Sequence, residues 1–192
     1  MNAIVLAAGN GDRFHNRTRD SKLLHPFLGQ PLLSRTLDTA RDAGVEAITV
    51  VLGYQADRVR ALVERARPSG VKISFAHNPD WRLENGVSVL AARPLITADR
   101  FAVLMGDHVF EPAVLRRLLQ FSLDRDESVL AVDARPVSPA VAAEATKVRR
   151  DDSRIVAIGK DLADYSLDTV KMFFNDAKQA GFALELPVTA NS

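Results

Sequence analysis

The sequence contains no cysteine, and this absence excludes several classes of protein. Without thiols the chain has no disulfide framework, no thiolate metal site and no cysteine nucleophile. Its 25 basic and 24 acidic residues leave a formal net charge of +1, which provides no electrostatic footprint for nucleic acid. The opening apolar run, IVLAA, is too short for a membrane span and lacks the basic region of a signal peptide. We therefore expect a cytoplasmic enzyme or binding protein, without a nucleic-acid partner and without membrane insertion.

The apolar residues occur in short runs that alternate with helical patterns. The 192 residues are 47% hydrophobic, enough for one domain with a large core. Buried strands are predicted at AIVLA, AITVVLG, VKISFAH, FAVLMG and SVLAVD. Alternating strands and helices are typical of an α/β three-layer sandwich with a mostly parallel, Rossmann-like sheet. Ligands in such folds bind at the carboxyl ends of the strands.

Helices are predicted where leucine and valine recur at helical spacing. One begins near Pro31, a second covers Gln55 to Ala66, and a third begins at Pro112. Beyond Asp133 the pattern changes, and two alternating segments around DDS predict a small β-hairpin at 145–160. A further helix is predicted over Leu167 to Ala180, whose aromatic residues would pack on the sheet or on a second copy of the chain in a homodimer.

The stretch LAAGNGDRF, directly after the first strand, is predicted to bind phosphate. It lacks the third glycine of the dinucleotide fingerprint and the spacing of a Walker A loop. Its small residues nevertheless allow a close backbone approach, and successive N–H groups form an anion-binding nest. Arg13 and Lys22 follow as cations suited to phosphate oxygens, in a chain with only six lysines. A tight turn with solvated cations is the alternative.

Two later segments carry candidate polar groups. In FAVLMGDHVF, Asp107 should stand at the carboxyl end of a strand, where one carboxylate and substrate phosphates suit magnesium. Asp107 as a cap of the next helix is the alternative, although Pro112 is the better start for that helix. In NPDWRLENGVSVLAA, Asn85 and Gly86 predict a turn with positive φ, and Ser88 is a candidate cap of the following helix.

Taken together, these segments resemble the nucleotidyltransferases that activate phosphorylated alcohols and sugars. The residues that carry the resemblance are LAAGNGDRF…SKLLHPFLGQPLLSRTL, HNPDWRLENGVSVL, MGDH and EATKVRRDDSRIVAIGKDL. The last two segments are specific to a smaller part of the superfamily than the glycine loop is, and they point to the CTP:inositol-1-phosphate cytidylyltransferase branch. The resemblance runs from the start of the chain to about Asp168. It implies a nucleotide-diphospho-sugar transferase type of sheet, and a domain over residues 1–168.

The resemblance also assigns roles to individual residues. It implies that CTP, or another NTP, and a small phosphorylated alcohol are the substrates, with Mg²⁺ as cofactor. Arg13, Lys22 and Lys160 would be the catalytic residues. The remaining roles are nucleotide binding by Leu6, Ala7, Ala8, Gly9, Gly11, Arg13, Lys22, Asn85, Gly86 and Ser88; acceptor binding by Glu144, Lys147 and Lys160; and metal binding by Asp107 and Asp168.

The end of the chain departs from this pattern. The family has glycine after Asp-Thr in a later strand, whereas Val170 follows Asp168-Thr169 here. Residues 169–192 are therefore predicted to be an atypical helix and tail, with Asp168 either a metal ligand or a helix cap. Three functions stay open: transfer of CMP to inositol 1-phosphate, transfer to another phosphate or phosphonate such as phosphocholine, and nucleotide binding with little or no turnover.

Overall fold

A computed structural model describes residues 1–11, 20–124, 127–132 and 145–162 of the chain. The chain forms two compact units, one over Met1–Leu119 and one that begins at Gln120. The sequence predicted a domain boundary at residue 168 instead, and that boundary stays a prediction. The helix predicted over Leu167 to Ala180 lies outside the described residues. Within the described ranges, no helix is long and apolar enough to cross a membrane.

The first unit alternates strands and helices along the chain. Its strands are β1 (Asn2–Ala7), β2 (Pro26–Phe27), β3 (Gln30–Pro31), β4 (Ala47–Leu52), β5 (Lys72–His77) and β6 (Phe101–Met105); its helices are α1 (Leu32–Asp42), α2 (Ala56–Arg65), α3 (Asn85–Ala92) and α4 (Pro112–Leu119). The helices predicted to begin near Pro31, to cover Gln55–Ala66 and to begin at Pro112 are confirmed.

The central sheet of this unit has four parallel strands in the order β5-β4-β1-β6. Five of the six residues of β1 and of β4 are buried, as expected for strands covered on both faces. The helices bury apolar faces against the core, with Leu33, Leu37 and Ala40 from α1, Val59, Leu62 and Val63 from α2, and Leu115 from α4. The predicted mostly parallel α/β fold is confirmed.

Two glycines allow the loops beside β1 to approach it closely. Gly53 follows β4, and an added Cβ would lie 2.5 Å from Trp81 Cβ and 2.7 Å from the Ala8 backbone oxygen. Gly106 follows β6, where an added Cβ would lie 2.8 Å from the Leu6 oxygen. Hydrogen bonds from Tyr54 N to Ala8 O and from Gly106 N to Leu6 O, both 2.8 Å, hold this arrangement. The loops that follow β4 and β6 are thus joined to β1 from its two sides.

The described part of the second unit contains the predicted hairpin, with β7 (Lys147–Asp151) antiparallel to β8 (Arg154–Gly159). The prediction of a strand at SVLAVD is wrong, because the described residues of this segment, 128–132, form no strand. Leu130 and Val132 of this segment instead pack against the buried Val148 and Ile155 of the hairpin. Their apolar character therefore reflects a small local core in this unit.

We predict that Gly53→Ala destabilises the protein. A Cβ this close to a backbone oxygen and to Trp81 Cβ cannot be relieved by a flexible side-chain tip, so overpacking should cost about 1–3 kcal/mol of the free energy of unfolding. Urea denaturation measures this cost. Gly9→Ala is the matched control, because nothing lies within 4 Å of its Cβ position. Equal stability of the two variants would contradict the prediction.

Candidate active site

The loops that follow the four parallel strands meet at one edge of the sheet. They contribute Ala8–Gly11 after β1, Gly53–Gln55 after β4, Asn78–Glu84 after β5 and Gly106–His108 after β6. An open cleft of about 580 Å³ lies at this edge; its described lining consists of Gly9, Asn10, Trp81, Arg82, Leu83 and Asn85. The glycine loop and the loop after β5 therefore line the same cleft.

The glycine loop presents backbone to this cleft. Leu6, Ala7 and Ala8 are buried, so their side chains belong to the core. Gly9 is exposed, and its Cβ position has nothing within 4 Å. Gly11 has φ +66°, a conformation that favours glycine, and its Cβ position lies 3.2 Å from Lys22 Cδ. The aliphatic stem of Lys22 thus lies against the glycine loop at Gly11.

The ammonium group of Lys22 forms an ion pair with the carboxylate of Asp107. Lys22 begins a 3₁₀ turn, Lys22–Leu24, and Asp107 follows β6. The two side chains are 32% and 17% exposed, so both are reachable from solvent. His108 Nε2 lies 3.4 Å from Asp107 Oδ1. Two candidate residues that are 85 positions apart in sequence are therefore brought into direct contact; α4 begins five residues beyond Asp107, as the sequence predicted.

A buried hydrogen-bond pair supports the loop after β5. Asn78 Nδ2 donates to Ser88 Oγ at 2.9 Å, and Asn78 Oδ1 accepts from Asp80 N at 2.9 Å. Both Asn78 and Ser88 are at most 5% exposed. The sequence did not single out Asn78, whose role shows only when the two segments pack together.

Two local predictions for this region are wrong. Asn85 and Gly86 form the first turn of α3 instead of a turn with positive φ, and Glu84 is the residue before the helix, so Ser88 does not cap it. Helix formation over Asn85–Ala92 lets Val89 and Ala92 pack in the core, and this burial outweighs the turn preference of Asn-Gly. Of the three residues, Asn85 lines the cleft, whereas Gly86 and Ser88 are buried.

An aromatic wall, formed by Tyr54, Trp81 and Arg82, was not predicted from the sequence. The Tyr54 and Trp81 rings are 5.2 Å apart, and the Arg82 guanidinium lies 4.3 Å from the centre of the Trp81 ring. Trp81 and Arg82 both line the cleft. The single tryptophan of the chain, placed between two predicted strands, was the signal that could have indicated this wall.

The chemistry at this edge fits a hard divalent cation held jointly with a ligand. Among the described residues, no group of three or more His, Asp or Glu side chains could hold a metal by itself. Asp107 offers one carboxylate at a strand end, and magnesium typically takes one or two carboxylates together with substrate phosphates. The other predicted ligand, Asp168, lies outside the described residues, as do Arg13 and Glu144.

The two remaining candidates, Lys147 and Lys160, are in the second unit. Lys147 begins β7, Lys160 follows β8, and the ammonium of Lys147 contacts the backbone oxygen of Lys160. The hairpin therefore brings both lysines to its open end. Lys160 is exposed and Lys147 is half-buried.

A parallel α/β sheet with a glycine loop after its first strand and a Lys–Asp pair at its carboxyl edge defines a nucleotide-binding class of domain. Residues 3–179 match the family described as "MobA-like NTP transferase domain", which assigns the chain to one family within this class. The chain belongs to this nucleotidyltransferase family, which confirms the resemblance found in the sequence motifs.

Individual relatives agree with this assignment. The chain is 40% identical over 166 residues to the "bifunctional IPC transferase and DIPP synthase" of Rubrobacter xylanophilus, with 86% of the chain and 36% of the relative covered. It is 35% identical over 183 residues to the "CMP-5'-(3-aminopropyl)phosphonate synthase" of Streptomyces rubellomurinus, with 94% and 26% covered. The chain thus spans about a third or less of these relatives' length.

A solved structure shows the same fold. The inositol-1-phosphate CTP transferase from T. maritima matches with a TM-score of 0.73 and 28% sequence identity, over 95% of this chain and 74% of that chain.

We predict that Ser88→Ala lowers the free energy of unfolding by about 1–3 kcal/mol, because it removes the acceptor of a buried Asn78 amide hydrogen bond. The double variant with Asn78→Ala should show a coupling of about 1 kcal/mol in a double-mutant cycle measured by urea denaturation. Additive effects of the two substitutions would show that the pair does not act as a unit.

Proposed function

We propose that the domain transfers CMP from CTP to a small phosphorylated alcohol, with inositol 1-phosphate as the acceptor. The observation that carries this proposal is the contact of Lys22 with Asp107, with the stem of Lys22 against Gly11 of the glycine loop. A cation for phosphate, a carboxylate for metal and an open glycine loop lie together at the edge where such sheets bind ligands. The solved structure named for inositol 1-phosphate and CTP supports the choice of substrates.

The reaction requires no general base. A phosphate monoester has a second pKa near ~6, so the acceptor is largely a dianion at neutral pH. One of its oxygens attacks the α-phosphorus of CTP and forms a new P–O bond. The bond from the α-phosphorus to the bridging oxygen breaks, and pyrophosphate leaves with the electron pair. The protein's contribution is then positioning and charge stabilisation.

The described residues divide this work in a definite way. Nucleotide binding would open the ion pair, so that Lys22 meets phosphate oxygens while Asp107 holds Mg²⁺ with them. When bound, the metal supplies charge stabilisation for the phosphate oxygens. The backbone of the loop from Leu6 to Gly11 would surround the nucleotide together with Asn85 at the cleft wall. The buried Gly86 and Ser88 would support that wall from behind it.

The remaining roles stay proposals that rest on the family resemblance. Arg13 would join Lys22 on the phosphates, and Asp168 would complete the metal site. Glu144, Lys147 and Lys160 would bind the acceptor, with Lys160 orienting its phosphate.

A phosphonate acceptor is the second candidate, because one relative is named for the CMP derivative of an aminopropylphosphonate. The decisive experiment incubates the protein with each of the four NTPs, with Mg²⁺, and with inositol 1-phosphate, phosphocholine or an aminoalkylphosphonate, and measures pyrophosphate. We expect release with CTP and inositol 1-phosphate. Release only with a phosphonate would move the assignment to the second candidate, and CTP binding without any release would favour a nucleotide-binding module.

We predict that Lys22→Ala lowers kcat by about a hundredfold, as for the loss of one preorganised charged donor. Its fold should be retained, because a partly exposed ion pair contributes about 1 kcal/mol or less to stability. Pyrophosphate release and thermal unfolding measure the two effects. Lys72→Ala is the control, since Lys72 is an exposed residue at the first position of β5, whereas the cleft lies beyond the last residues of the strands. An unchanged kcat in folded Lys22→Ala would remove this lysine from the mechanism.

For the acceptor we predict that Lys160→Ala raises the KM for inositol 1-phosphate about tenfold and changes that for CTP less than about threefold, because one charge-assisted phosphate contact is lost. The substitution keeps the backbone oxygen that Lys147 contacts, so the hairpin should still close. Steady-state kinetics with each substrate varied in turn measure both constants. Equal changes in both would mean that the hairpin does not distinguish acceptor from nucleotide.

A further inference from the structure

The loop after β4 carries a glutamine in a backbone conformation that favours glycine. Gln55 has φ 51° and ψ 39°, in the left-handed region. Within the described part of the chain, two other non-glycine residues have positive φ, and both lie in hairpin turns: Leu28 between β2 and β3, and Asp152 between β7 and β8. Gln55 instead stands at the carboxyl edge of the sheet, just before α2. Its backbone strain therefore coincides with the site.

The side chain of Gln55 bonds to a distant segment instead of capping its own helix. It precedes α2 and makes no side-chain capping bond. Its Oε1 accepts a hydrogen bond from Ser21 N at 3.1 Å, and its Nε2 donates to Tyr54 Oη at 3.4 Å. Ser21 is fully buried and directly precedes Lys22. The glutamine thus connects the loop after β4 to the backbone from which the lysine projects.

A second contact joins the same two segments. Asp20 forms an ion pair with Arg58 in the first turn of α2, and this hydrogen-bonded carboxylate raises the pKa of Arg58. Arg58 is 55% exposed, so the contact is open to water and contributes little to stability. The amide contact at Ser21 is part-buried and reaches a fully buried residue, so it is less open to water than the ion pair.

We propose that Gln55 is a positioning residue that holds Lys22 in place for nucleotidyl transfer, an inference that rests on the proposed function. The lysine side chain is a flexible stem of four carbons. The position of the ammonium group therefore depends on the backbone at the base of the stem and on what the stem touches. Here the base is held by the Gln55 amide, and the stem lies against Gly11. Glycine would adopt the same backbone with less strain, but it could not make this contact.

The contrast between glutamine and glycine provides the test. Gln55→Gly relieves the positive φ but removes the acceptor of Ser21 N, and because these two effects oppose each other the melting temperature should change by only a few degrees. We expect its kcat for pyrophosphate release to fall about tenfold, with the KM for CTP changed less than about threefold. Gln55→Glu keeps an acceptor oxygen for Ser21 N and should recover part of the lost kcat. Leu28→Gly is the matched control, because it relieves a similar positive φ in a hairpin turn and should leave kcat unchanged.

A second readout reports on Lys22 without turnover. An amine-acylating reagent should modify Lys22 several-fold faster in Gln55→Gly than in the unaltered protein, relative to the exposed Lys72, with peptide mass spectrometry as the measurement. Unchanged kcat together with unchanged Lys22 acylation would overturn the positioning role. Loss of kcat that disappears when the assay is run well below the melting temperature of the variant would do the same, since it would show a merely structural residue. Absence of pyrophosphate release from the unaltered protein, with faster acylation in the variant, would instead refute the proposed function alone.

Discussion

The close approach of two loops to the first strand is the constraint on which the site depends. Gly53 and Gly106 follow the strands on either side of β1, and neither has room for a Cβ beside the backbone oxygens of Ala8 and Leu6. Their hydrogen-bonded contacts hold the ends of three strands together. Because Trp81 also packs on Gly53, the loop after β5 is drawn to the same place. The cleft between the glycine loop and Trp81 follows from this packing, since a larger residue at Gly53 would push the two walls apart.

The ion pair of Lys22 and Asp107 at the carboxyl edge of the sheet suits a site whose charged groups change partners when a ligand binds. Lys22 and Asp107 neutralise each other without ligand, and partial exposure keeps the free energy of their pair small. In the proposed function, a magnesium-bound triphosphate would offer both groups a stronger partner, because it presents cation and anion together. Opening the pair is therefore a minor cost against the binding of the nucleotide. Under the proposed function, the buried Asn78–Ser88 bond and the Gln55 contact would hold the frame while the ion pair exchanged its partners.

The residues proposed for the nucleotide and those proposed for the acceptor belong to different units of the chain. The glycine loop, Lys22 and Asp107 all belong to the unit over Met1–Leu119, whereas Lys147 and Lys160 belong to the unit that begins at Gln120. The two relatives carry different names, an IPC transferase and an aminopropylphosphonate synthase, although both share more than a third of their aligned residues with this chain. Under the proposed function, a shared set of nucleotide-binding residues together with a different set of acceptor-binding residues would let relatives of similar identity use different acceptors.

The sequence by itself determined the α/β class, the four strands of the sheet, three of the helices and the hairpin, because each depends on local periodicity of apolar residues. It also indicated the glycine loop, Lys22 and Asp107, since motif chemistry is local too. Tertiary structure alone decided that Lys22 contacts Asp107, that Asn78 bonds Ser88, and that Gln55 reaches Ser21 across 34 positions. It also overrode two local signals, turning Asn85-Gly86 into helix and leaving residues 128–132 without a strand. The physical reason is the same throughout: burial and pairing between segments far apart in sequence contribute free energies that exceed local preferences, and no local pattern encodes them.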